Sequence, residues 1–379
     1  MKPFALAVSF AAASLASGPV WAAGPDTSTS SPFETNRTAL PPALQWSPSA
    51  QWFATMDRQG AMQERQGNGM SLSYLADGSA VAASRRDGRG TVVGVGAGGM
   101  SGQFFGLEAS GLTPLEIAAT DRFNAPYYGM VRDASHAGVS IVAGDGGRLR
   151  FGALSGQGMV QTDPFGQAIN DRSKRFLSSA EFEQKMGRAV GIVSVGVLRE
   201  NGSMLGSQLV QSLAFTTNPT TTFTSLSVGY ALSPSSSLVA MASSGRTAGL
   251  GTTDSLLAQV SEVRTVAYSF GYSAKQLWRK DDRFGLTFAM PAKVRSGVLA
   301  LGGPALQSPL TGALGDVTQP LNLHPTATER DLEMTYSTGV GSDARQGRVT
   351  GAMMWRVNPG HDATAKPDWM LGVRYVRGF

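Results

Sequence analysis

The sequence predicts an all-β protein, a transmembrane antiparallel up-and-down β-barrel, and three observations carry that prediction. Alternating segments recur along most of the chain, glycine accounts for 47 of 379 residues, and charged residues make up only 16%. Ordinary soluble domains carry roughly 25% charged residues. A wall that faces lipid needs few charges, and small residues suit tight turns and a crowded interior. We expect about 12 strands, within a range of about 12–14, because a strand of about 9–11 residues crosses a bilayer.

The N-terminus predicts export from the cytoplasm. Lys2 supplies a positive charge, an apolar run extends to Ala16, and small residues precede a cleavage point after Ala22 or Ala23. This order is typical of a secretory signal peptide, so we assign residues 1–23 to one and expect the Sec export machinery as its partner. The apolar run is too short for a spanning helix.

Residues 24–65 form a predicted flexible lead and a candidate short helix. The Ser/Thr run at 27–31 and the prolines at 41–42 argue against packed structure in the first part. Residues 49–65 have an amphipathic pattern with Trp52 on the apolar side. Two placements remain open for such a helix, one in or near a pore and one packed at the barrel mouth.

Residues 66–379 are assigned to the barrel because apolar and small side chains alternate with the period of two that a strand requires. The regular segments are 226–232, 266–272, 284–290, 332–336 and 349–355. Less regular candidates lie near 70–76, 91–98, 103–109, 137–144, 147–154, 189–199, 204–215 and 235–243. Turn signals such as Asp87-Gly88 and Ser233-Pro234 separate many of them, and longer spacers at 162–185 and 302–327 are predicted loops.

The last strand has the most regular pattern, since large apolar side chains at its alternate positions end on a terminal aromatic residue. It resembles the C-terminal closing strand of bacterial outer-membrane barrels. That resemblance implies an outer-membrane location, contact with lipid, and a terminal signal read by the barrel assembly machinery. The residues assigned to this signal are Leu371, Val373, Tyr375 and Phe379.

Charged side chains inside the predicted strands alternate with apolar neighbours and are therefore expected to point into the lumen. The candidates are Arg148, Arg150, Arg348, Arg356, Arg374, Asp331 and Glu333. Two roles remain open for them. They either hold an inserted helix or favour anions, or they satisfy one another's charges in a filled pore.

Catalysis is not predicted. The chain has no cysteine and three histidines, at 136, 324 and 361, and the motif that places Ser135 beside His136 lies in a strand and turn context. No phosphate-binding loop, zinc-protease motif or dinucleotide fingerprint is present. We expect no cofactor and no metal. The net charge of +5 is not clustered, so no nucleic-acid partner is expected.

The second half of the chain resembles the C-terminal translocator barrel of autotransporters that carry subtilisin-like protease passengers. The residues that carry this resemblance are VGVLRENGSMLGS at 195–207, DRFGLT at 282–287, PAKVRSG at 291–297, ERDLEMTY at 329–336, MWRVNPGH at 354–361 and VRYVRGF at 373–379. The resemblance covers roughly 190–379 and implies a twelve-stranded barrel whose lumen holds a helix linked to an exported passenger. Here the passenger is missing.

Three functions follow as hypotheses. The first is a membrane scaffold or translocation unit without an enzymatic passenger, which threads its own N-terminal segment. The second is a porin-like channel for small solutes. The third, of a different class, is a secreted soluble β-rich binding protein.

Overall fold

The computed structural model describes most of the chain from residue 62 onward and one short segment before it. The described residues are 6–10, 62–75, 81–98, 104–109, 123–157, 174–201, 203–205, 207–208, 218–249, 258–306, 314–341 and 347–377.

Strands dominate these residues. They are β1 (Leu6–Phe10), β2 (Met62–Gly67), β3 (Met70–Leu75), β4 (Val81–Arg86), β5 (Val92–Ala97), β6 (Arg132–Val142), β7 (Gly147–Gln157), β8 (Lys174–Met186), β9 (Ala189–Glu200), β10 (Ser203–Met204), β11 (Ser207–Gln208), β12 (Thr220–Ser233), β13 (Ser236–Thr247), β14 (Ala258–Val260), β15 (Val263–Lys275), β16 (Arg283–Ser296), β17 (Val298–Leu306), β18 (Leu314–Asn322), β19 (Arg330–Val340), β20 (Gly347–Val357) and β21 (Asp368–Arg377). The helices are α1 (Gly106–Ala109), α2 (Pro126–Gly129) and a 3-10 turn at Pro359–His361.

One antiparallel sheet of 16 strands contains most of these elements, in the order β1-β21-β20-β19-β16-β15-β13-β12-β9-β8-β7-β6-β5-β4-β3-β2. From β2 to β21, each strand of this sheet pairs with the strands before and after it in the chain, as in an up-and-down barrel, and β1 pairs with β21. The predicted all-β, up-and-down fold class is therefore confirmed. The sheet is not closed, because β1 and β2 are its two edges.

The long connections carry their own small sheets. β10 and β11 form a hairpin, and β14, β17 and β18 form a three-stranded sheet. The second of these lies in the connections that join β13 to β15 and β16 to β19. The predicted loop at 302–327 is therefore partly strand, because a connection of that length can pair with itself.

The two faces of the main sheet have opposite chemistry. In β12, Leu226 and Tyr230 are exposed by 49% and 44%, whereas Ser225 and Ser227 beside them are buried. Soluble proteins normally bury the large apolar side chains instead. We call the apolar side the outer face and the buried side the inner face. Other large apolar side chains exposed on the described strands include Val93, Val95, Phe151, Phe176, Phe182, Val193, Phe270, Phe288, Leu332, Met334, Trp355 and Trp369.

The two ends of the sheet also differ. One end has short turns, for example at 68–69, 187–188 and 234–235, and we call it the short-turn rim. The other end has the connections that span 98–131, 158–173, 201–219 and 297–329, and we call it the long-loop rim. Transmembrane barrels have this division between a short-turn side and a long-loop side.

The predicted count of about 12–14 strands is wrong. The segments 62–67, 81–86 and 174–186 are strands that the sequence prediction omitted, whereas 103–109 contains helix α1 and 204–215 contains only the short strands of a hairpin. The largest omission is β8, which falls in a predicted loop. Its inner positions carry charged side chains that have buried partners. Its sequence therefore lacks the alternation of large apolar and small residues that marks the other strands.

The N-terminal predictions have mixed outcomes. The prediction of a helix over 49–65 is wrong for its last four residues, because strand β2 begins at Met62. Residues 49–61 lie outside the described residues. β1 lies inside the predicted signal peptide and pairs antiparallel with β21. Cleavage of that peptide, which stays a prediction, would remove β1 and leave β21 as an edge strand.

Candidate functional site on the inner face

The inner face is occupied by residues from the connection between β5 and β6. We call its described parts, 104–109 and 123–131, the inner segment; they contain α1 and α2. Its aromatic and aliphatic side chains supply seven of the 17 buried residues in the larger apolar cluster of the described chain, and most of the others lie on the strands around it. The protein core is therefore made by a connection folded against the inner face of the sheet.

Glycines on the inner face create the space for these rings. A Cβ added at any of four positions would come closer than 3.0 Å to an aromatic ring of the inner segment. The pairs are Gly94 and Gly138 with Phe104, Gly152 with Phe105, and Gly271 with Phe123. Gly245 meets the Tyr127 hydroxyl in the same way. Only a residue without a side chain allows a ring to lie directly on the strand backbone.

A buried carboxylate on β8 fastens the inner segment to the wall. Glu181 accepts hydrogen bonds from the Gly106 backbone N–H and the Tyr128 hydroxyl, both at 3.0 Å. The Ser194 hydroxyl donates to the same side chain, also at 3.0 Å. Arg150 forms an ion pair with Glu181 at 3.3 Å. A carboxylate with this many donors remains stable away from water.

Further hydrogen bonds hold the other end of the inner segment. Arg175 donates to the Met130 carbonyl and pairs with Glu200 at 3.3 Å. The hydroxyls of Tyr127 and Thr265 lie 2.7 Å apart. Ser227 donates to the Phe123 carbonyl at 2.8 Å. The contacts involve strands from β7 to β15, so the segment is fixed along most of its described length.

Two of the predicted lumen residues have the same surroundings on different strands. Arg148 donates to the Ser140 hydroxyl at 3.2 Å and to the Gly90 carbonyl at 3.4 Å. Arg348 donates to the Ser337 hydroxyl at 3.1 Å and to the Asp281 carbonyl at 3.4 Å. Each arginine thus reaches across the preceding strand to the next short turn.

The other predicted lumen residues also lie on the inner face. Arg150 contacts Glu183 as well as Glu181. Arg356 donates from Nε to Asp368 at 2.8 Å and lies 3.6 Å from Glu329. Three more are buried at alternate inner positions of β19 and β21, namely Asp331, Glu333 and Arg374. The structure therefore separates the predicted set: Arg150 lies beside the carboxylate that holds the inner segment, Arg148 and Arg348 lie at the short-turn rim, and Arg356 lies in a cluster near the long-loop rim.

A turn at the long-loop rim joins the latter cluster. The His361 Nδ1 accepts from the Glu329 backbone N–H at 2.9 Å, and Glu329 accepts from the Gly360 N–H at 2.8 Å. Burial, followed by the negative charge of Asp331, raises the pKa of Glu329 to about 8. Burial lowers the pKa of His361 to about 4, so its ring is neutral at pH 7.

The predicted assembly signal lies on the outer face where the structure describes it. Leu371, Val373 and Tyr375 are exposed at alternate positions of β21. Phe379 lies outside the described residues. β21 runs toward the short-turn rim.

The serine–histidine motif is not a catalytic pair in the described strand. Ser135 is exposed and His136 is buried, because successive side chains point to opposite faces. The His136 ring lies 6.5 Å from that of Phe104. The absence of enzymatic activity stays a prediction.

Sequence reasoning missed the residues that fasten the inner segment, chiefly Arg175, Glu181 and Glu200. A usable signal was present in 174–186, where Arg175, Glu181 and Glu183 share one register with Leu177 and Ser179. Reading that register as an inner face would have predicted β8.

The main sheet, with its apolar outer face and its two unequal rims, has the fold class of the outer-membrane β-barrels. Within the described ranges, no helix has the length and apolar character to cross a bilayer. Across those same ranges, His, Asp and Glu side chains do not gather in the threes that a metal site needs.

No family model and no curated protein matches the chain. Solved structures with a similar architecture include a bacterial polysaccharide outer membrane secretin, at 11% identity with 82% of each chain covered and a TM-score of 0.36. OprB of Pseudomonas putida is similar at 13% identity, with 81% of this chain and 73% of that one covered and a TM-score of 0.41. An anion-selective porin from Comamonas acidovorans is similar at 10% identity, with 84% and 87% covered and a TM-score of 0.40.

Proposed function

We propose that the chain is a porin-like channel of the bacterial outer membrane whose bore is narrowed by the inner segment. The observation that carries this proposal is the attachment of Tyr128 and Gly106 to Glu181 on the wall. A channel that discriminates solutes by size needs an element that stays in place inside the bore. Hydrogen bonds to a buried carboxylate supply that rigidity.

The outer face supports the membrane location. Its exposed Leu, Val, Phe and Trp side chains suit lipid and would be an aggregation hazard in water. The Trp355 and Trp369 rings stack 5.9 Å apart near the long-loop rim, where an interfacial aromatic girdle is expected. These features argue against the hypothesis of a secreted soluble binding protein.

A translocation unit is the second candidate, favoured by the resemblance of 190–379 to autotransporter barrels. That resemblance implies about 12 strands and a helix that enters the lumen from before the barrel. The main sheet is larger, and the inner segment comes from between β5 and β6. The geometry therefore supports the channel better than the translocator.

The proposal includes partners and processing. We propose Sec-dependent export, signal-peptide cleavage near Ala22 or Ala23, and recognition of Phe379 by the barrel assembly machinery, with no enzymatic role. Deletion of Phe379 should reduce insertion into the outer membrane. Insertion at the wild-type level would contradict the assembly signal.

Conductance separates the two candidate functions. Purified protein in planar bilayers should conduct steadily whether or not residues 24–61 are present, since β2 begins at Met62. A protein that conducts only after that deletion would support the translocator. A protein that never conducts, although its heat-modifiable gel mobility shows a folded barrel, would overturn the channel.

A further inference from the structure

We propose that Arg148 and Arg348 make the short-turn mouth of the channel selective for small anions such as chloride and phosphate. This inference rests on the proposed channel function and names its class of solute. The two arginines lie on the inner face of β7 and β20, each one residue after the start of its strand at the short-turn rim.

The repeated geometry shows how these side chains are positioned. Each guanidinium uses NH1 for a serine hydroxyl on the preceding strand and NH2 for a backbone carbonyl in the next short turn. An arginine carries five N–H donors, so two such bonds leave others free to bind a solute. Both side chains are partly buried.

Neither positive charge is neutralised by its hydrogen-bond partners. The acceptors of Arg148 and Arg348 are hydroxyl and carbonyl oxygens, which are neutral. Among the described residues, Arg150 and Arg356 have carboxylate partners within 4 Å, whereas Arg148 and Arg348 do not. An arginine whose hydrogen-bond acceptors are neutral keeps its full positive charge, which can then attract an anion from solution.

The surrounding inner face at this rim carries two further basic side chains, and one carboxylate, that of Asp281, lies against Gly339 opposite Arg348. Lys185, the penultimate residue of β8, is close enough to Arg148 to feel its charge, and Arg283 lies opposite Ser337, the acceptor of Arg348. The nearby carboxylate of Glu183 is occupied by Arg150 and lies 3.6 Å from Lys185. Positive charge at the mouth of a low-dielectric pore attracts anions and repels cations.

The solute class follows from guanidinium chemistry. Arginine donors bind the oxygens of phosphate and carboxylate groups, and they also attract chloride through charge alone. Two sites on well-separated strands, β7 and β20, favour small anions that exchange rapidly over large ligands that need one continuous pocket.

The test measures reversal potential in a planar bilayer across a tenfold KCl gradient. The wild type should prefer chloride, and R148Q/R348Q should reduce the chloride-to-potassium permeability ratio several-fold. R148K/R348K keeps both charges and should keep the preference. R330Q removes an exposed arginine at the opposite rim and serves as the matched control.

A second readout needs only the wild-type protein. Inorganic phosphate added on the short-turn side should reduce the chloride current more than phosphate added on the long-loop side. Equal effects from the two sides, or an unchanged permeability ratio in R148Q/R348Q, would overturn the proposal. Conduction without anion preference rejects this inference alone, whereas absence of conduction rejects the channel function beneath it.

Discussion

The Tyr128 hydroxyl donates to the Glu181 carboxylate at 3.0 Å, although 53 residues separate them in the sequence. Tyr128 belongs to a connection and Glu181 to the wall strand β8. The same carboxylate receives the Gly106 N–H and pairs with Arg150. This relationship makes the inner segment part of the folded wall.

Removal of the Tyr128 hydroxyl tests the strength of that attachment. Tyr128→Phe keeps the ring, which stacks on Phe105 at 5.5 Å, but leaves Glu181 with one donor fewer. A hydrogen bond to a charged group contributes about 1.5–3 kcal/mol, so the free energy of unfolding should fall by about that amount. The urea midpoint monitored by heat-modifiable gel mobility measures the change. Tyr375→Phe on the outer face is the control, and equal midpoints for both variants would contradict the attachment.

The glycines that lie against the aromatic rings of the inner segment are predicted to be sensitive to the addition of a single methyl group. Gly271→Ala places a Cβ within 3.0 Å of the Phe123 ring, and that ring must move. Overpacking of this kind costs about 1–3 kcal/mol. Gly191→Ala is the matched control, because nothing lies within 4 Å of its added Cβ. The thermal midpoint should fall for Gly271→Ala only; a fall of the same size in both variants would show that glycine itself, rather than the ring contact, matters.

The Glu329 cluster predicts a pH dependence at the long-loop rim. The pKa of Glu329 is raised from 4.5 to about 8, so its stabilising effect is complete below about 4.5 and declines as the pH rises to about 8. The lowered pKa of His361 has the opposite effect on stability: its contribution is lost as the pH falls from 6.5 to about 4. Between pH 6.5 and 8 the change in stability from Glu329 is the larger of the two, because the unfolded-state histidine is already mostly neutral in that range.

The charged groups around Glu329 are Asp331, Arg356 and, beyond Arg356, Asp368, while Lys293 faces His361. We expect the urea midpoint of the wild type to fall from pH 6.5 to 8. Glu329→Gln stays neutral and should be flat over that range. A wild type that is equally flat would disprove the prediction.

Asp282 is predicted to hold the short turn at 276–282 in place. Its carboxylate accepts the backbone N–H groups of Leu277, Trp278 and Arg279, at 2.7, 2.8 and 2.9 Å. Burial raises the pKa of Asp282, but these donors outweigh it and the pKa lies below 3.8. The ionised carboxylate therefore stabilises the turn at every pH above 3.8. This stabilisation is lost only as the pH falls through the lower pKa that Asp282 has in the folded protein.

Trypsin measures the order of this turn, because Arg279 and Lys280 are exposed. Asp282→Ala should increase cleavage there several-fold at pH 8. Asp87→Ala removes similar backbone contacts from a different short turn and should leave cleavage at 279–280 unchanged. Unchanged cleavage in Asp282→Ala would show that the turn is held by other contacts, such as the packing of Trp278 on Tyr336.

The outer face of the sheet was predictable from the sequence. Strands such as β12, β15 and β19 alternate large and small side chains over most of their length. Because strand side chains alternate between the two faces, this pattern indicates which face is apolar. Charged strands were harder to identify. In β8 the polar residues are the buried ones, because Glu181 and Glu183 find Arg150 on β7, and the sequence of β8 alone does not contain that partner.

The inner segment was not predictable from local pattern. Phe104 needs Gly94 and Gly138, and Phe123 needs Gly271, which lies 148 positions further along (271 − 123). Such ring and glycine pairs become neighbours only after the sheet has formed. Local periodicity therefore predicted the strands of the sheet, whereas the position of the inner segment depends on contacts between residues that are distant in the sequence.

Single-channel conductance of Glu181→Gln tests the central claim most directly. Glutamine keeps the shape of the side chain but loses the charge that pairs with Arg150 and one oxygen that accepts hydrogen bonds. Glu262→Gln, at a partly exposed carboxylate that pairs with Arg246, is the matched control. A constricted channel predicts larger or noisier conductance for Glu181→Gln and wild-type conductance for the control. Identical conductance for the wild type and both variants, all folded by gel mobility, would contradict the claim that the inner segment sets the bore.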